Sequence, residues 1–221
     1  MSLLNDARVR RTWLAHLMCE VPTAGPRFAL TFDDGPSPRN TPVLLEVLAR
    51  HRARATFFVM TARLRRHADL VRRMAAAGHE IGIHGGIHLP GWSLPRFWFD
   101  RELKEAIAAV IAVMGRRPRH YRAPFGLLTP VHVRWARAQG LTAVLGSIYP
   151  RDHEARTAAQ IVAQVEPRLG PGSIVILHDS NALWDADRSA TVGAVDAILD
   201  AAAGLGLEAV TVEELVAAGA P

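Results

Sequence analysis

Short apolar runs alternate along the chain with longer segments in which apolar residues recur every three or four positions. After residue 26 the short runs have the length and composition of strands, and the longer segments have the period of amphipathic helices. This alternation is typical of repeated βα units around a parallel sheet. Strands are predicted at residues 28–32, 55–59, 80–84, 120–122, 142–146, 173–178 and 208–212. Seven such strands indicate an α/β barrel.

The predicted helices occupy residues 41–51, 63–77, 99–114, 130–139, 158–169 and 190–203. Two of them begin with a proline that follows a residue able to accept a hydrogen bond from the first turn. Asn40 or Thr41 has this place in the first helix, and Thr129 has it in the fourth. The capping signals and the overall pattern therefore predict the same elements.

The 221 residues are predicted to form one compact domain, residues 26–221, with an N-terminal helical extension, residues 1–25. Charged residues interrupt the apolar positions of residues 1–22, which favours an amphipathic helix over a signal peptide. No run approaches the roughly 20 apolar residues that a membrane span needs. A cytoplasmic location is expected, unless an export signal has been removed.

Composition and charge narrow the possible classes of protein only slightly. Hydrophobic residues make up 49% and charged residues 21%, as in ordinary soluble proteins. Cys19 is the single cysteine, so an intramolecular disulfide is excluded. The net charge of +5 is almost entirely arginine, because Lys104 is the only lysine among 26 basic residues. This charge indicates either an anionic partner, such as a cell-wall polymer or lipid headgroup, or compositional drift. No nucleic-acid motif is present, so no nucleic-acid partner is expected.

Reactive side chains follow four of the predicted strands, where parallel α/β folds place their active sites. Asp33 and Asp34 follow the first strand, and adjacent carboxylates repel, so one is expected to bind a metal and the other to take a proton. His84 and His88 follow the third strand, four positions apart, a spacing often seen in pairs of metal ligands.

The two remaining strand ends add a cation and a titratable group. Arg122 begins the segment Arg-Ala-Pro-Phe-Gly and can bridge a carboxylate without losing its charge. The proline in this segment can hold a backbone N–H in a fixed direction. His178 ends a nearly unbroken apolar strand, where it can titrate near neutral pH.

In this order and on these strand ends, the four segments resemble the signature of polysaccharide deacetylases of the NodB homology type, carbohydrate esterase family 4. The resemblance spans residues 28–212. It implies a distorted (β/α)7 barrel and a hydrolase that removes an N-acetyl group from an amino sugar. It also implies a carbohydrate partner and a divalent metal, most often Zn²⁺, with Co²⁺ as an alternative.

The resemblance also implies a role for each matching residue. Asp33 matches the catalytic base, Arg122 the residue that orients this base, and His178 the general acid. Phe125 matches the residue whose backbone N–H stabilises the oxyanion. The metal ligands correspond to Asp34, His84 and His88.

Two positions depart from the family pattern. Gly85 follows the first metal-binding histidine, where the family has serine or threonine, and a small effect is expected. The family motif Asp-x-x-Asp-Trp corresponds here to Tyr-Pro-Arg-Asp-His at residues 149–153. Tyr149 thus stands where an aspartate would orient the acid histidine. Either Tyr149 accepts the hydrogen bond of His178, or another acid such as Asp152 replaces the aspartate.

Aromatic residues near these motifs are candidates for substrate binding. They are Trp92, Trp98, Tyr149 and Trp184. The rings can stack on sugars or form an acyl-binding wall, but the tryptophans can equally pack in the core or in a dimer surface.

Three alternative functions remain at this stage. The first is an N-deacylase or deformylase of a lipid-linked amino sugar or a small metabolite, on the same fold. The second is a turnover-deficient relative that binds carbohydrate, although Asp33 and His178 are not needed to hold a metal. The third is a non-haem iron oxygenase with two histidines and one aspartate, which leaves Asp33, Arg122 and His178 without a role.

Overall fold

The computed structural model describes residues 17–21, 25–86, 88–90 and 93–219. Within these ranges eight strands form one parallel sheet. They are β1 (Leu17–Met18), β2 (Arg27–Asp33), β3 (Ala55–Val59), β4 (Glu80–Ile83), β5 (His120–Tyr121), β6 (Thr142–Val144), β7 (Ile174–His178) and β8 (Glu208–Val210). Their order is β1-β6-β5-β4-β3-β2-β7, and β8 pairs with the first residues of β2. All seven predicted strands are present.

The sheet curls into a distorted barrel, as predicted. Between β6 and β7 the two sides meet through an isolated parallel bridge that joins Ile148 to Val175. The short β1 extends the sheet beside β6 at this weak junction. Because every paired strand is parallel, all strands end on one side of the barrel, and the loops that follow them share that side.

The strands are buried on both faces, as expected for a parallel sheet covered by helices. Alternate residues of β2 belong to different clusters: Phe28, Leu30 and Phe32 pack with the helices, whereas Ala29 faces the barrel interior. Phe58 joins Ala29 in the interior cluster. The period of two that separates these clusters fixes the direction of every side chain at the strand ends.

Eight α-helices surround the sheet in the described residues. They are α1 (Thr41–Arg50), α2 (Thr61–Arg66), α3 (Ala68–Ala76), α4 (Arg96–Met114), α5 (Pro130–Ala138), α6 (Ala158–Val165), α7 (Ser189–Gly204) and α8 (Val212–Gly219). The predicted helix at residues 63–77 is two helices, because His67 leaves the helical conformation with φ −122°. The predicted helix at 158–169 ends as a 3-10 turn that contains Pro167, which cannot donate to the α-helical ladder.

The predicted N-terminal helix falls mainly on residues 1–16, outside the described part of the chain. It also included Leu17 and Met18, and for these two residues the prediction is wrong. They pair with Ala143 and Val144 of β6, so backbone pairing at the sheet edge outweighs the local helical pattern. The division of the chain at residue 25 stays a prediction. Among the described helices, none is long and apolar enough to cross a membrane.

Candidate active site

The strand ends converge on one cavity of about 300 Å³. All the residues predicted from the four motifs line it: Asp33, Asp34, His84, His88, Arg122, Phe125 and His178. They come from the ends of β2, β4, β5 and β7 and from the loops that follow. Side chains that are up to 145 positions apart in the chain therefore share one space, as the sequence predicted.

Asp33 and Arg122 form a buried ion pair on the floor of this cavity. Nη1 of Arg122 donates to Oδ1 of Asp33 at 2.8 Å and to Oγ1 of Thr31 at 2.6 Å. Nη2 of Arg122 donates to the Leu145 carbonyl, and the guanidinium lies over the Phe58 ring, 4.2 Å from its centroid. Arg122 is only 1% exposed. These contacts hold the guanidinium in one orientation, so one oxygen of Asp33 is held in place.

Asp34, His84 and His88 bring three ligand atoms together beside this pair. Oδ1 of Asp34 lies 3.5 Å from Nε2 of His84 and 3.3 Å from Nε2 of His88. Ligands about 2.0–2.1 Å from a tetrahedral Zn²⁺ are separated by roughly 3.3 Å, so the spacing fits such an ion. The same Asp34 oxygen is buried without a hydrogen-bond partner. An unpaired buried carboxylate oxygen at this position is what a cation would neutralise.

The orientation of His84 also fits a metal ligand. Its Nδ1 lies 2.9 Å from the Arg122 carbonyl, and a carbonyl oxygen can only accept, so Nδ1 carries the proton. The lone pair of Nε2 then points toward Asp34. Histidine ligands are commonly fixed in this manner by a hydrogen bond from the other ring nitrogen.

A tight turn aims the two aspartates in different directions. Asp34 has φ +71°, a left-handed conformation that aspartate tolerates better than most residues. Gly35 follows, and a Cβ there would lie 2.1 Å from Oδ1 of Asp179. The turn after β2 therefore requires glycine, because Asp179 packs directly against its backbone.

His178 is paired with Asp152. Nδ1 of His178 lies 2.7 Å from Oδ1 of Asp152, and Oδ2 accepts from the His178 backbone N–H at 2.9 Å and from Oγ1 of Thr191 at 2.9 Å. Burial lowers the pKa of His178, but the Asp152 carboxylate, aided by Asp33 and Asp34, outweighs burial and raises this pKa to about 9. His178 is therefore protonated at neutral pH.

Of the two alternatives for orienting His178, the geometry favours Asp152. Burial raises the pKa of Asp152, yet the charge and hydrogen bonds of His178 hold this pKa below its usual value. The Tyr149 hydroxyl instead lies 3.2 Å from Nδ1 of His153, and the Tyr149 ring is 6.3 Å from that of His178. The alternative in which Tyr149 accepts the hydrogen bond of His178 is wrong.

Phe125 lies at the cavity mouth in a left-handed conformation, with φ +59°. Its ring packs edge-on against His88, with 4.4 Å between the centroids, and is largely exposed. Strained backbone of this kind is held in place by its surroundings and is common at functional sites. The oxyanion-binding role of its N–H stays a prediction.

The four aromatic candidates for substrate binding lie in different parts of the chain, and the described ones differ in their place relative to the cavity. Tyr149 lines the cavity. Trp98 lines a second cavity of about 260 Å³, which it shares with Gly86 and Arg101. Trp184 is exposed on the loop after β7, and Trp92 lies outside the described residues. Their role in substrate binding stays a prediction.

The sequence patterns missed two residues that hold the charged groups. Thr31 binds Arg122, and it could have been found because it lies two positions before Asp33 and so faces the same side of β2. Thr191 binds Asp152 from α7, and no local signal connects these distant positions.

The parallel barrel therefore brings paired carboxylates, two histidines and the protonated His178 together at its strand ends, as the sequence predicted. Residues 20–144 match the family model described as Polysaccharide deacetylase. The chain belongs to the polysaccharide deacetylase family, and it is a hydrolase of the N-deacetylase type, as predicted.

Similar proteins of named function support this membership. A chitooligosaccharide deacetylase of Sinorhizobium fredii is 40% identical over 158 residues, which cover 71% of this chain and 74% of the relative. A peptidoglycan-N-acetylglucosamine deacetylase of Bacillus cereus is 34% identical over 199 residues, covering 89% and 91% of the two chains. The structure of a peptidoglycan N-acetylglucosamine deacetylase superposes with a TM-score of 0.85 at 26% identity, covering 90% of this chain and 92% of that one.

Proposed function

We propose that this protein removes an N-acetyl group from an amino sugar of an oligosaccharide, polysaccharide or glycoconjugate in a metal-dependent reaction. The observation that supports this proposal most is the single cavity shared by Asp33, the Asp34–His84–His88 group and protonated His178. Relatives named for deacetylation of chitooligosaccharides and peptidoglycan are 40% and 34% identical to this chain over 158 and 199 residues.

Asp34, His84 and His88 would hold the metal, for which Zn²⁺ is the first candidate and Co²⁺ the second. Three protein ligands leave a position for water, and a bound Zn²⁺ would lower the pKa of that water toward about 7. The choice of Zn²⁺ is supported by the nitrogen and oxygen donors and by their separations of 3.3 and 3.5 Å.

The residues around this group can perform the proton transfers of amide hydrolysis. Asp33, held in place by Arg122, takes a proton from the attacking water while the water oxygen forms a bond to the acyl carbon. The Phe125 N–H donates to the oxygen of the acyl group as negative charge develops there. His178 gives its proton to the amine nitrogen as the C–N bond breaks, because an unprotonated amine leaves poorly. Acetate and a free amine are the products.

The pairing of His178 distinguishes this proposal from a protein that only binds carbohydrate. A metal-binding or sugar-binding site has no need of a buried histidine held in its charged form by Asp152. An iron oxygenase likewise leaves Asp33, Arg122 and His178 without a function. An N-deacylase or deformylase for a lipid-linked amino sugar or a small metabolite uses the same residues, so only the substrate separates it from the main proposal.

The decisive experiment measures acyl release with added Zn²⁺ or Co²⁺ from chitooligosaccharides, peptidoglycan fragments, formylated amino sugars and small acetylated amines. We expect acetate from the N-acetylated sugars. Asp33→Asn should keep the metal but lose turnover by about 10²–10⁴-fold, since it removes the base without touching the ligands. A fully active Asp33→Asn variant would contradict the role of the base, and formate release alone would favour the deformylase.

A further inference from the structure

Arg188 is a buried arginine in the wall of the active-site cavity, and the proposed reaction gives it no role. It is 7% exposed and lines the same cavity as Asp33 and His178. Nε of Arg188 donates to the Ser180 carbonyl at 2.8 Å. Nη1 and Nη2 are accessible from the cavity, and within the described part of the chain they form no hydrogen bond or ion pair. Free donors on a largely buried guanidinium indicate a partner that enters the cavity, because a buried charge is costly unless it is paired.

Two other cations of the cavity each lie beside a carboxylate. Nη1 of Arg122 lies 2.8 Å from Oδ1 of Asp33, and Nδ1 of His178 lies 2.7 Å from Oδ1 of Asp152. Arg188 has no such counter-charge among the described residues. The cavity therefore contains one guanidinium whose charge this part of the chain does not neutralise at close range.

The two acids that shortly precede Arg188 in the chain have other partners. Oδ2 of Asp187 accepts from Nη2 of Arg39 at 2.9 Å. Oδ1 of Asp185 accepts from Oγ of Ser180 at 3.3 Å. Since neither carboxylate pairs with Arg188, the guanidinium is left for an anion that comes from outside the chain.

The Arg188 side chain is held in position to bind such an anion. The residue lies directly before α7, where its N–H donates to Oδ1 of Asn40 at 3.2 Å and its carbonyl accepts from the Val192 N–H at 2.9 Å. Because Nε is bonded to the Ser180 carbonyl, the guanidinium is fixed as well as the backbone. Nη1 and Nη2 then form a pair of donors that matches two oxygens of a carboxylate or a phosphate. A donor pair that is already fixed loses little conformational entropy on binding.

Asn181 adds a neutral donor beside this guanidinium. It lines the cavity and directly follows Ser180, whose carbonyl binds Arg188. Oδ1 of Asn181 accepts from the Leu183 N–H at 3.0 Å, so Nδ2 is the end of the amide that is left for a ligand. Arg188 and Asn181 together offer N–H donors, which suit an oxyanion and not a cation or an apolar group.

We propose that Arg188 and Asn181 bind an anionic group of the substrate, a carboxylate or a phosphate carried by the amino sugar whose N-acetyl group is removed. The proposal rests on the proposed function, because the anion and the acyl group belong to one molecule in one cavity. It narrows the substrate class from amino sugars in general to acidic amino sugars.

Binding of small amino sugars tests this site without turnover. Titration calorimetry uses the zinc-loaded Asp33→Asn variant, so that no substrate is consumed. N-acetylglucosamine is the neutral reference, its 1-phosphate and 6-phosphate are the phosphate probes, and N-acetylmuramic acid is the carboxylate probe. At least one anionic probe should bind about ten- to a hundredfold more tightly than the reference, as expected for charge-assisted hydrogen bonds. The probe that binds best shows which of the two anions the site takes.

Substitutions of Arg188 in this background should remove the preference for the anion. Arg188→Met should bind the anionic probes no better than the neutral reference, and Arg188→Gln is a second neutral variant in case the first does not fold. Arg188→Lys keeps the charge but not the paired donors, so it should retain only part of the preference.

The matched control is Arg63→Met. Nη2 of Arg63 donates to the Asn181 carbonyl at 2.7 Å, so this variant loses the same charge and a contact to the same loop. Arg63 is not among the described residues that line the active-site cavity. The preference for the anionic probe should therefore persist in Arg63→Met.

Three results would overturn the proposal. The first is that no anionic probe binds more tightly than the neutral reference. The second is that Arg188→Met and Arg188→Gln keep the preference, which would place the anion elsewhere in the cavity, for example on the metal. The third is that Arg63→Met loses the preference as fully as Arg188→Met, which would make it an effect of net charge or of a loosened loop. If the preference depends on Arg188 but the wild type releases acetate from no sugar, only the proposed activity fails. If the wild type deacetylates neutral sugars and no preference is found, only the anion site fails.

Discussion

The Asp152 carboxylate raises the pKa of His178, so it should set the pH range over which His178 can act as the proposed acid. A histidine donates a proton only while it is protonated, so activity should fall as the pH rises through the His178 pKa of about 9. Asp152→Asn removes the charge but keeps the size of the side chain. The His178 pKa should then fall, and the alkaline limb of the kcat/KM profile should move down by about one to three pH units.

Tyr149→Phe is the control for this prediction. It removes the hydroxyl that faces His153 and leaves the Asp152–His178 hydrogen bond intact, so the alkaline limb should stay in place. NMR titration of His178 in the metal-free variants gives an independent reading. If the alkaline limb moves in Tyr149→Phe but not in Asp152→Asn, then Tyr149 and not Asp152 sets the pKa of His178.

At the scale of single residues, the sequence predicted those side chains that stand directly at strand ends. Asp33, Asp34 and His178 follow apolar strands whose direction is fixed by the period of two, so their convergence could be foreseen. Asp152 could only be named as an alternative to Tyr149. It lies between β6 and β7 in irregular backbone, where no period tells which side chain turns inward.

At the scale of elements, Asn40 joins the start of α1 to the loop before α7. The sequence predicted a helix cap at Asn40 or Thr41, but the Asn40 side chain makes no such bond. Its Nδ2 instead binds Oγ of Ser37 at 3.0 Å and two carbonyls of residues 179–188, and its Oδ1 accepts from the Arg188 N–H at 3.2 Å. A cap is a local pattern, whereas the two carbonyls and the Arg188 N–H lie 139 to 148 positions away.

Asn40→Ala should therefore destabilise the protein and loosen residues 179–188. Buried backbone groups would lose their partners, at a cost of about 1–3 kcal/mol in the free energy of unfolding. Urea denaturation measures the cost, and hydrogen exchange locates the change. Gln164→Ala removes one exposed hydrogen bond and should change little. Equal stability of the two variants would show that the loop does not depend on Asn40.

Tertiary pairing explains the elements that the sequence misplaced. Leu17 and Met18 fit an amphipathic helix locally, but the free edge of β6 accepts them as a strand. The predicted strand at 208–212 ends early because the Val212 N–H donates to Oγ1 of Thr56 at 2.8 Å and α8 begins there. The long helices predicted at 99–114 and 190–203 agree closely with α4 and α7, whereas the one predicted at 63–77 is broken at His67.

At the scale of the whole molecule, the two ends of the barrel differ in how completely their buried polar side chains are hydrogen-bonded. At the start of β4, both oxygens of Glu80 are satisfied: Oε1 lies 2.5 Å from Nδ1 of His120, and Oε2 accepts from Oγ1 of Thr56 and the Glu213 N–H. The described buried side-chain atoms that lack a hydrogen bond all belong to residues at or just after strand ends: Oδ1 of Asp34, Nε of Arg122 and Oδ1 of Asp179. In the described part of the chain, buried side-chain atoms without a hydrogen bond are thus confined to the end of the barrel that holds the candidate site.

Metal binding should stabilise the whole molecule. Asp34 follows β2 whereas His84 and His88 follow β4, so a bound ion would join the ends of two different strands. A metal at about a hundredfold excess over its Kd adds about 2.7 kcal/mol to the free energy of unfolding. For a chain of this size that corresponds to a rise in Tm of roughly 5–10 °C. Calorimetry with Zn²⁺ and after chelation should show this difference, and elemental analysis should give one ion per chain.

Two groups of side chains in the described chain can hold a metal, and substitutions in each group show which one binds the ion. Asp34, His84 and His88 form one group, and Asp152, His153 and His178 form the other. The second group is already joined by the hydrogen bond between Asp152 and His178, so we expect the ion at the first. His88→Ala should abolish the rise in Tm and lower the metal content, whereas His153→Ala should change neither. The reverse result would place the ion beside His178, and the roles proposed for Asp34 and His178 would both be wrong.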